Sequence, residues 1–283
     1  AEEAAILAGL GDAPAPVEAA AQTVDAVGAY ADRYGAAFGA QALAGLTIGV
    51  YQHSSVARDV MVDVASRLGA RAVPLARADS FVPVDTEAVD AASRRQLAAW
   101  CAEHGLDAVI STDGDADRPM VVDGDGRLVP GDVLGPLTAR ALGATVVCTP
   151  VSSNTLVDRM PDFARVDRTR IGSPFVIAAM EAVREADPGA KVVGYEANGG
   201  FLLGFDAPGA AGPIAPLMTR DCLLPILAPL AAAAASGQGL AALVAALPQR
   251  FTAADRLQDV DPDDARAFLR ALSDDPARRA AFF

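Results

Sequence analysis

The chain has 283 residues, 52% hydrophobic and 5% aromatic, and its 23 basic against 36 acidic side chains give a net charge of −13. That length allows about two domains, and scattered acidic residues with no basic patch carrying interleaved aromatics argue against a nucleic-acid partner. The three cysteines, Cys101, Cys148 and Cys222, stand far apart in apolar segments, with neither metal-ligand spacing nor a disulfide framework, which points to buried thiols in a reducing, cytoplasmic compartment.

In chain order, a helix is predicted over 1–10 and another over 17–38, whose Val17, Val24, Val27, Tyr30, Tyr34 and Phe38 have core spacing rather than the pattern of a cofactor motif. Strands and helices then alternate. Strand 46–51 is followed by helix 55–68 ending at Gly69, strand 71–75, and helix 87–104 ending before Gly105. Strand 107–110, a hairpin of 120–122 with 127–129, and helix 132–142 up to Gly143 complete this series. A second series starts at strand 144–148 and continues through a short helix, strand 163–166, helix 174–186, strands 191–195 and 201–205, and a helix over 217–235. That last helix contains Pro225 and Pro229 and is too short and interrupted for a bilayer, so it is expected to be buried; no membrane partner and no secretory leader are expected. Helices over 261–272 and 275–283 carry Pro262 and Pro276 near their starts.

This alternation predicts an α/β fold of two tandem βαβ domains with mixed, mainly parallel sheets, and places function at the carboxyl ends of the strands. The expected division is a helical segment at 1–41, α/β domains at 42–143 and 144–249, and a segment at 250–283.

The most informative stretch is Ser-Thr-Asp-Gly-Asp-Ala-Asp-Arg at 111–118. Three carboxylates at alternate positions, Asp113, Asp115 and Asp117, repel one another, a cost that a bound cation relieves. Gly114 and Ala116 are expected to let the backbone curl so that these side chains converge. Hard oxygen ligands in this number suit Mg²⁺, which keeps its other coordination sites for water or phosphate. Arg118 adds a planar fork for phosphate oxygens. A calcium loop of the EF-hand type would need Gly at its sixth position and Glu at its twelfth, where Arg118 and Gly124 stand. A solvated acidic turn is the bland alternative, and Asp123-Gly-Asp-Gly126 fits that description as a hairpin turn.

Elsewhere, His53 ends the first strand just before a helix, an arrangement suited to phosphate or proton transfer, although a histidine satisfied by local hydrogen bonds fits equally. His104 closes a helix, where a cation opposes the dipole. Ser152 or Ser153 reads as an N-cap. Glu196 sits in Gly194-Tyr-Glu-Ala-Asn-Gly-Gly200, and the glycines alone do not explain the Glu-x-Asn pair between them.

Residues 113–118 resemble the metal-binding loop of the alpha-D-phosphohexomutases, the phosphomannomutase/phosphoglucomutase family. Residues 194–200 look like that family's sugar-recognition loop, which implies sugar contacts from Glu196 and Asn198. Thr169-Arg-Ile-Gly172 is similar to a loop of the third domain, implying substrate contacts from Arg170 and Gly172. Arg220-Asp221 is similar to the segment after the sugar loop. The resemblance implies the middle domains of a four-domain phosphohexomutase, with Arg118 and His53 as catalytic candidates and Mg²⁺ as cofactor. It implies mannose or glucose phosphate as substrate, passing through a bisphosphate. It also implies that the segment at 1–41 is the helical remnant of a preceding domain and that at 250–283 a linker with the start of a further one. The family's Thr-x-Ser-His-x-Pro phosphoserine loop and its Gly-rich phosphate loop are not found in this sequence, so the chain is expected to be the middle of a longer protein, inactive alone. The other reading is a non-catalytic Mg²⁺- and sugar-phosphate-binding module.

Overall fold

The computed structural model describes residues 24, 26–254 and 259–282 and contains two five-stranded sheets. The helix predicted over 1–10 and the start of that over 17–38 lie outside the described residues; the remainder of the latter is α1, Ala26–Phe38. The first sheet joins β1 (Thr47–His53), β2 (Arg71–Arg77), β3 (Ala108–Thr112), β4 (Pro119–Asp123) and β5 (Leu128–Val129) in the order β2-β1-β3-β4-β5. β1 runs parallel to β2 and β3, whereas β4 is antiparallel to both β3 and β5. Helix α2 (Arg58–Arg67) covers one face and α3 (Ala91–His104) the other. Strand alternation does the sorting: Ile48, Val50 and Ile110 join Met61 and Val64 of α2, while Val109 and Met120 join Leu97 and Cys101 of α3.

The second sheet repeats the plan. Its strands β6 (Val146–Pro150), β7 (Arg165–Thr169), β8 (Val192–Tyr195), β9 (Phe201–Leu203) and β12 (Leu217–Asp221) lie in the order β12-β9-β8-β6-β7. Again three parallel strands are followed by two antiparallel ones. A short hairpin, β10 (Ala207–Pro208) with β11 (Pro213–Ile214), stands apart. Helix α5 (Ser173–Ala186) covers one face through Val176, Met180 and Val183. The other face receives α4 (Gly131–Ala141) and α6 (Leu224–Ser236), which pack against each other, with α7 (Leu240–Ala245) following. One apolar cluster runs from Ile48 and Met61 of the first unit to Tyr195 and Leu227 of the second, so the two units share a core. Near the C-terminus, α8 (Pro262–Asp274) and α9 (Pro276–Phe282) start at the prolines expected. Among the described residues no helix is long and apolar enough to cross a membrane.

Three local expectations are corrected. Residues 217–221 are strand β12 rather than the first turn of a helix, because their backbone pairs with β9. The side chain of Asp221 then takes over the capping, accepting from the backbone N–H groups of Leu223 (3.0 Å) and Leu224 (3.2 Å). Helix α3 begins at Ala91 rather than residue 87, since Asp90 caps it by accepting from Ala92 N and Ser93 N. Neither Ser152 nor Ser153 is an N-cap. Ser153 is buried with its Oγ 2.8 Å from Thr149 Oγ1, and Asn154 Oδ1 accepts from Leu156 N ahead of a 3-10 turn at Val157–Arg159.

Asp221 also ties the units together. Its Oδ1 accepts from the Tyr30 hydroxyl at 2.7 Å and its Oδ2 from Tyr34 at 2.5 Å, both phenols standing on α1. Burial first, and this carboxylate second, push both phenols far above the usual tyrosine range, so they remain donors at any ordinary pH.

Two outcomes test this packing. Tyr34→Phe leaves a buried carboxylate oxygen short of its donor and is expected to cost about 1–3 kcal/mol in denaturant unfolding. At Gly135 of α4 an added Cβ would stand 2.4 Å from Cγ of the buried Tyr195 ring, so Gly135→Ala should lower stability by about 1–3 kcal/mol. Gly35→Ala on α1, with nothing within 4 Å of the new methyl, should instead raise it by about 0.5–1 kcal/mol.

Candidate active site

The aspartate triplet lies on the connection between β3 and β4, where the sheet turns from parallel to antiparallel pairing. Asp113 is buried, and its Oδ1 accepts from the N–H groups of Asp117 and Arg118, both at 3.2 Å, while its own N–H donates to Arg118 O. The curl comes from Ala116, at φ 61°, rather than from Gly114, whose φ is not left-handed. A Cβ at Gly114 would make only ordinary contact with the Phe81 ring, at 3.4 Å. A left-handed alanine costs about 1–2 kcal/mol, a local strain that the loop's hydrogen bonds hold in place.

The result is convergence: one carboxylate oxygen from each of Asp113, Asp115 and Asp117 lies within 4.8 Å of the others. Burial first, then the two neighbouring carboxylates, push the Asp113 carboxyl up to about 6. Arg118 relieves part of this, with Nε at 3.6 Å from both Asp113 and Asp117, yet that nitrogen is buried without a hydrogen bond. Beside Arg118 opens a cavity of about 390 Å³, walled by Tyr51, Met120 and the irregular segment from Val82 to Asp90.

Glu196 and Asn198 lie on the β8–β9 connection, the same position in the second sheet that the aspartates hold in the first. This turn is closed by Glu196 N–H to Gly200 O (3.1 Å), Gly199 N–H to Glu196 O (2.9 Å), and Gly200 N–H to Asn198 Oδ1 (2.9 Å). The Asn198 side-chain oxygen is therefore committed to the turn. Gly199 has φ 91°, and a Cβ on it would stand 2.7 Å from Pro119, the residue after Arg118. Gly131 packs as closely on the other side, its added Cβ falling 2.3 Å from Gly199 N. Thr86 Oγ1 donates to Asn198 O across the same seam at 3.4 Å.

The two loops thus meet, and one residue bridges them. Arg220, at the end of β12, pairs through Nη2 with Asp117 Oδ2 and places Nη1 4.0 Å from Glu196 Oε2. Sequence reasoning noted Arg220 only as part of a similar segment; its partners are distant in the chain, and no local pattern marks it.

His53 ends β1 at φ 28° with its ring buried. Its Nε2–H donates to the carbonyl of Thr112, the residue before Asp113, at 2.9 Å, and Nδ1 has no partner. Burial first lowers its pKa below the usual imidazole value, leaving a neutral ring beneath the aspartate loop. Arg170 is exposed at the end of β7, with its guanidinium 5.5 Å from the Phe175 ring centre, and Gly172, at φ 120°, opens α5. These two share the carboxyl edge of the sheet with Glu196 but lie two strands from β8, with β6 between.

Comparison with known proteins bears on this arrangement. Residues 28–126 match the family model "Phosphoglucomutase/phosphomannomutase, alpha/beta/alpha domain II", and residues 130–251 match that for domain III. The chain is 44% identical over 248 residues to a phosphomannomutase of Sinorhizobium fredii, covering 86% of this chain and 51% of the relative. It is 43% identical over 231 residues to a phosphomannomutase of Salmonella muenchen, covering 82% of this chain and 48% of that one. The chain therefore spans about half the length of the curated relatives it matches. Among solved structures, a phosphoglucomutase/phosphomannomutase family protein from Burkholderia thailandensis superposes with TM-score 0.61 at 20% identity, over 81% of this chain and 48% of that one, a likeness of fold. Two consecutive domain models, these relatives, and the meeting of the two loops agree: the chain belongs to the alpha-D-phosphohexomutase family and comprises its central α/β domains.

Proposed function

We propose that this chain supplies the metal- and sugar-recognising part of a magnesium-dependent phosphohexomutase, with mannose phosphate as its preferred substrate. The observation that carries the reading is the joining of two loops by Arg220: a cluster of three carboxylates on one, and Glu196 on the other. Its chemistry suits a hard divalent cation. Asp113, Asp115 and Asp117 offer oxygen only, and a cation among them would offset both the burial of the Asp113 carboxylate and its repulsion by the other two. When bound there, Mg²⁺ would neutralise charge on a transferring phosphoryl group, the dominant form of catalysis in such transfers.

The chain's own residues then have distinct parts. Arg118 lines a cavity on one side, stands against Asp113 and Asp117 on the other, and serves a phosphate oxygen. Glu196 orients sugar hydroxyls, while Asn198 shapes the turn that presents it. His53 acts at one remove, by fixing the Thr112 carbonyl from which the metal loop departs. Arg170, on a loop whose turn at Gly172 (φ 120°) calls for glycine, serves the phosphate at the far end of the hexose. The phosphoryl group would pass from a phosphoserine to the sugar hydroxyl, forming the bisphosphate, and the sugar's other phosphate would return to the serine. No serine here stands in a Thr-x-Ser-His-x-Pro setting, so that nucleophile is assigned to a segment other than these 283 residues. Asn198-Gly-Gly200 differs from the Ser-Gly-His ending typical of glucosamine-phosphate members, which favours an unaminated hexose. We also place the boundary between the units near residues 126–130 rather than 143, because α4 packs on α6 and β8 of the second unit.

Three outcomes test the reading. Asp115→Asn should abolish Mg²⁺ binding in calorimetry while leaving the thermal unfolding curve nearly unchanged, since Asp115 is exposed. Coupled assays should show conversion of mannose 1-phosphate only in the presence of a segment carrying the phosphoserine loop; turnover by the 283 residues alone would refute the assignment of the nucleophile. The third concerns pH. Asp113 has a folded pKa of about 6 against an ordinary 3.8, so the folded chain holds its proton more tightly than the unfolded chain between those values. Its contribution to metal-free stability therefore declines as pH rises from 3.8 towards about 6. Asp113→Asn, which keeps the Oδ1 acceptor, should stabilise the metal-free chain at pH 7 by about 1–3 kcal/mol and eliminate metal binding.

A further inference from the structure

Arg220 stands at a crossing of charges that the metal and sugar roles above do not use. Its Nη2 is paired with Asp117 Oδ2, while Asp117 Oδ1 faces Arg118 Nε at 3.6 Å, so both oxygens of the third aspartate already face guanidinium groups. On its other side lies Glu196 Oε2, 4.0 Å from Nη1, on a side chain only 8% exposed, with no hydrogen-bond partner. A buried carboxylate oxygen left so is costly, and a small rotation of Arg220 would satisfy it. The arginine reaches this point because residue 200 is glycine. A Cβ at Gly200 would stand 2.9 Å from Arg220 Cδ, 3.0 Å from Cγ and, less tightly, 3.2 Å from Asn198 Oδ1, while the Gly200 backbone is not left-handed. The neighbouring Asp221, held by two tyrosines and two backbone donors, fixes the strand end from which the arginine extends.

A guanidinium on Asp117 Oδ2 and a divalent cation drawing on the same carboxylate are competitors for one charge. We propose that Arg220 is the built-in counter-cation of the aspartate triad: it holds Asp117 while no metal is bound, and metal entry transfers it to Glu196 Oε2. Metal binding is thereby coupled to the sugar loop, and the relocated guanidinium fixes the Glu196 carboxylate in the orientation that meets the sugar. This is a positioning role, and it rests on the reading of the triad as a divalent-cation site.

The test is the affinity of the 283-residue chain for Mn²⁺, a spectroscopically visible substitute for Mg²⁺, measured by calorimetry and electron paramagnetic resonance. R220Q removes the competitor and should bind Mn²⁺ about two- to fivefold more tightly than the unsubstituted chain. G200A keeps the charge but displaces the arginine's stem, and should shift affinity in the same direction. Equal or weaker binding by R220Q would overturn the proposal. So would tighter binding by R220Q with no change in G200A, which would reduce the effect to general electrostatics. If R220Q does not fold, G200A decides alone. Should the unsubstituted chain bind no Mn²⁺ at all, the metal reading fails and this proposal with it; binding by the unsubstituted chain without the shifts in its variants sinks the coupling only.

Discussion

The site depends on how closely two backbones can approach. Gly131 and Gly199 lie so near each other, and Gly199 so near Pro119, that a single methyl group at either glycine would collide. This contact puts the β3–β4 and β8–β9 connections against each other, and it determines which charges become neighbours. Because the two sheets share one strand plan, the meeting loops are equivalent positions of two similar units. One unit fills that position with carboxylates and the other with a turn built around Glu196, so a duplicated architecture yields an asymmetric site.

Charge at the seam is balanced locally within an acidic chain. With a net charge of −13, the chain as a whole repels anions, and the positive charge at the seam comes from Arg118 and Arg220. Arg118 and Arg220 stand against the triad, Arg118 between Asp113 and Asp117 and Arg220 on Asp117, while burial first keeps the Asp113 carboxyl raised. Asp221 handles its charge differently. Two phenols and two backbone N–H groups satisfy its carboxylate, joining α1 of one unit to a strand of the other. The cysteines take no part: all three are buried and free, and burial raises each thiol, Cys148 to about 12, leaving little thiolate to react.

Much of this was legible in the chain. The alternation of apolar runs with amphipathic segments located nearly every strand and helix, because burial of alternating side chains leaves a period in the sequence. The helix starts at Pro262 and Pro276, the hairpin at Asp123–Gly126 and the left-handed helix end at Gly105 follow from local backbone chemistry. The misses had two origins: a distant strand overruled a local preference at 217–221, while at Asp90 and Ser153 nearby side chains chose other partners. Residues 217–221 read as helix beside an apolar run, but β9 offered backbone pairing; Ser153 read as a cap, but Thr149 engaged its hydroxyl.

The sequence by itself determined the kind of chemistry available: three carboxylates in five residues supply a concentration of hard oxygen ligands. It also named the second loop, through a glutamate and an asparagine set among glycines. Only the tertiary structure decided that these loops touch, that Ala116 rather than Gly114 makes the curl, and that Arg220 spans the gap. Glycines at 131, 199 and 200 look alike in the sequence as places of backbone freedom. What each makes room for — a neighbouring loop's backbone, a proline ring, an arginine's stem — comes from distant parts of the chain, and such proximity is a property of the folded chain that no local pattern encodes.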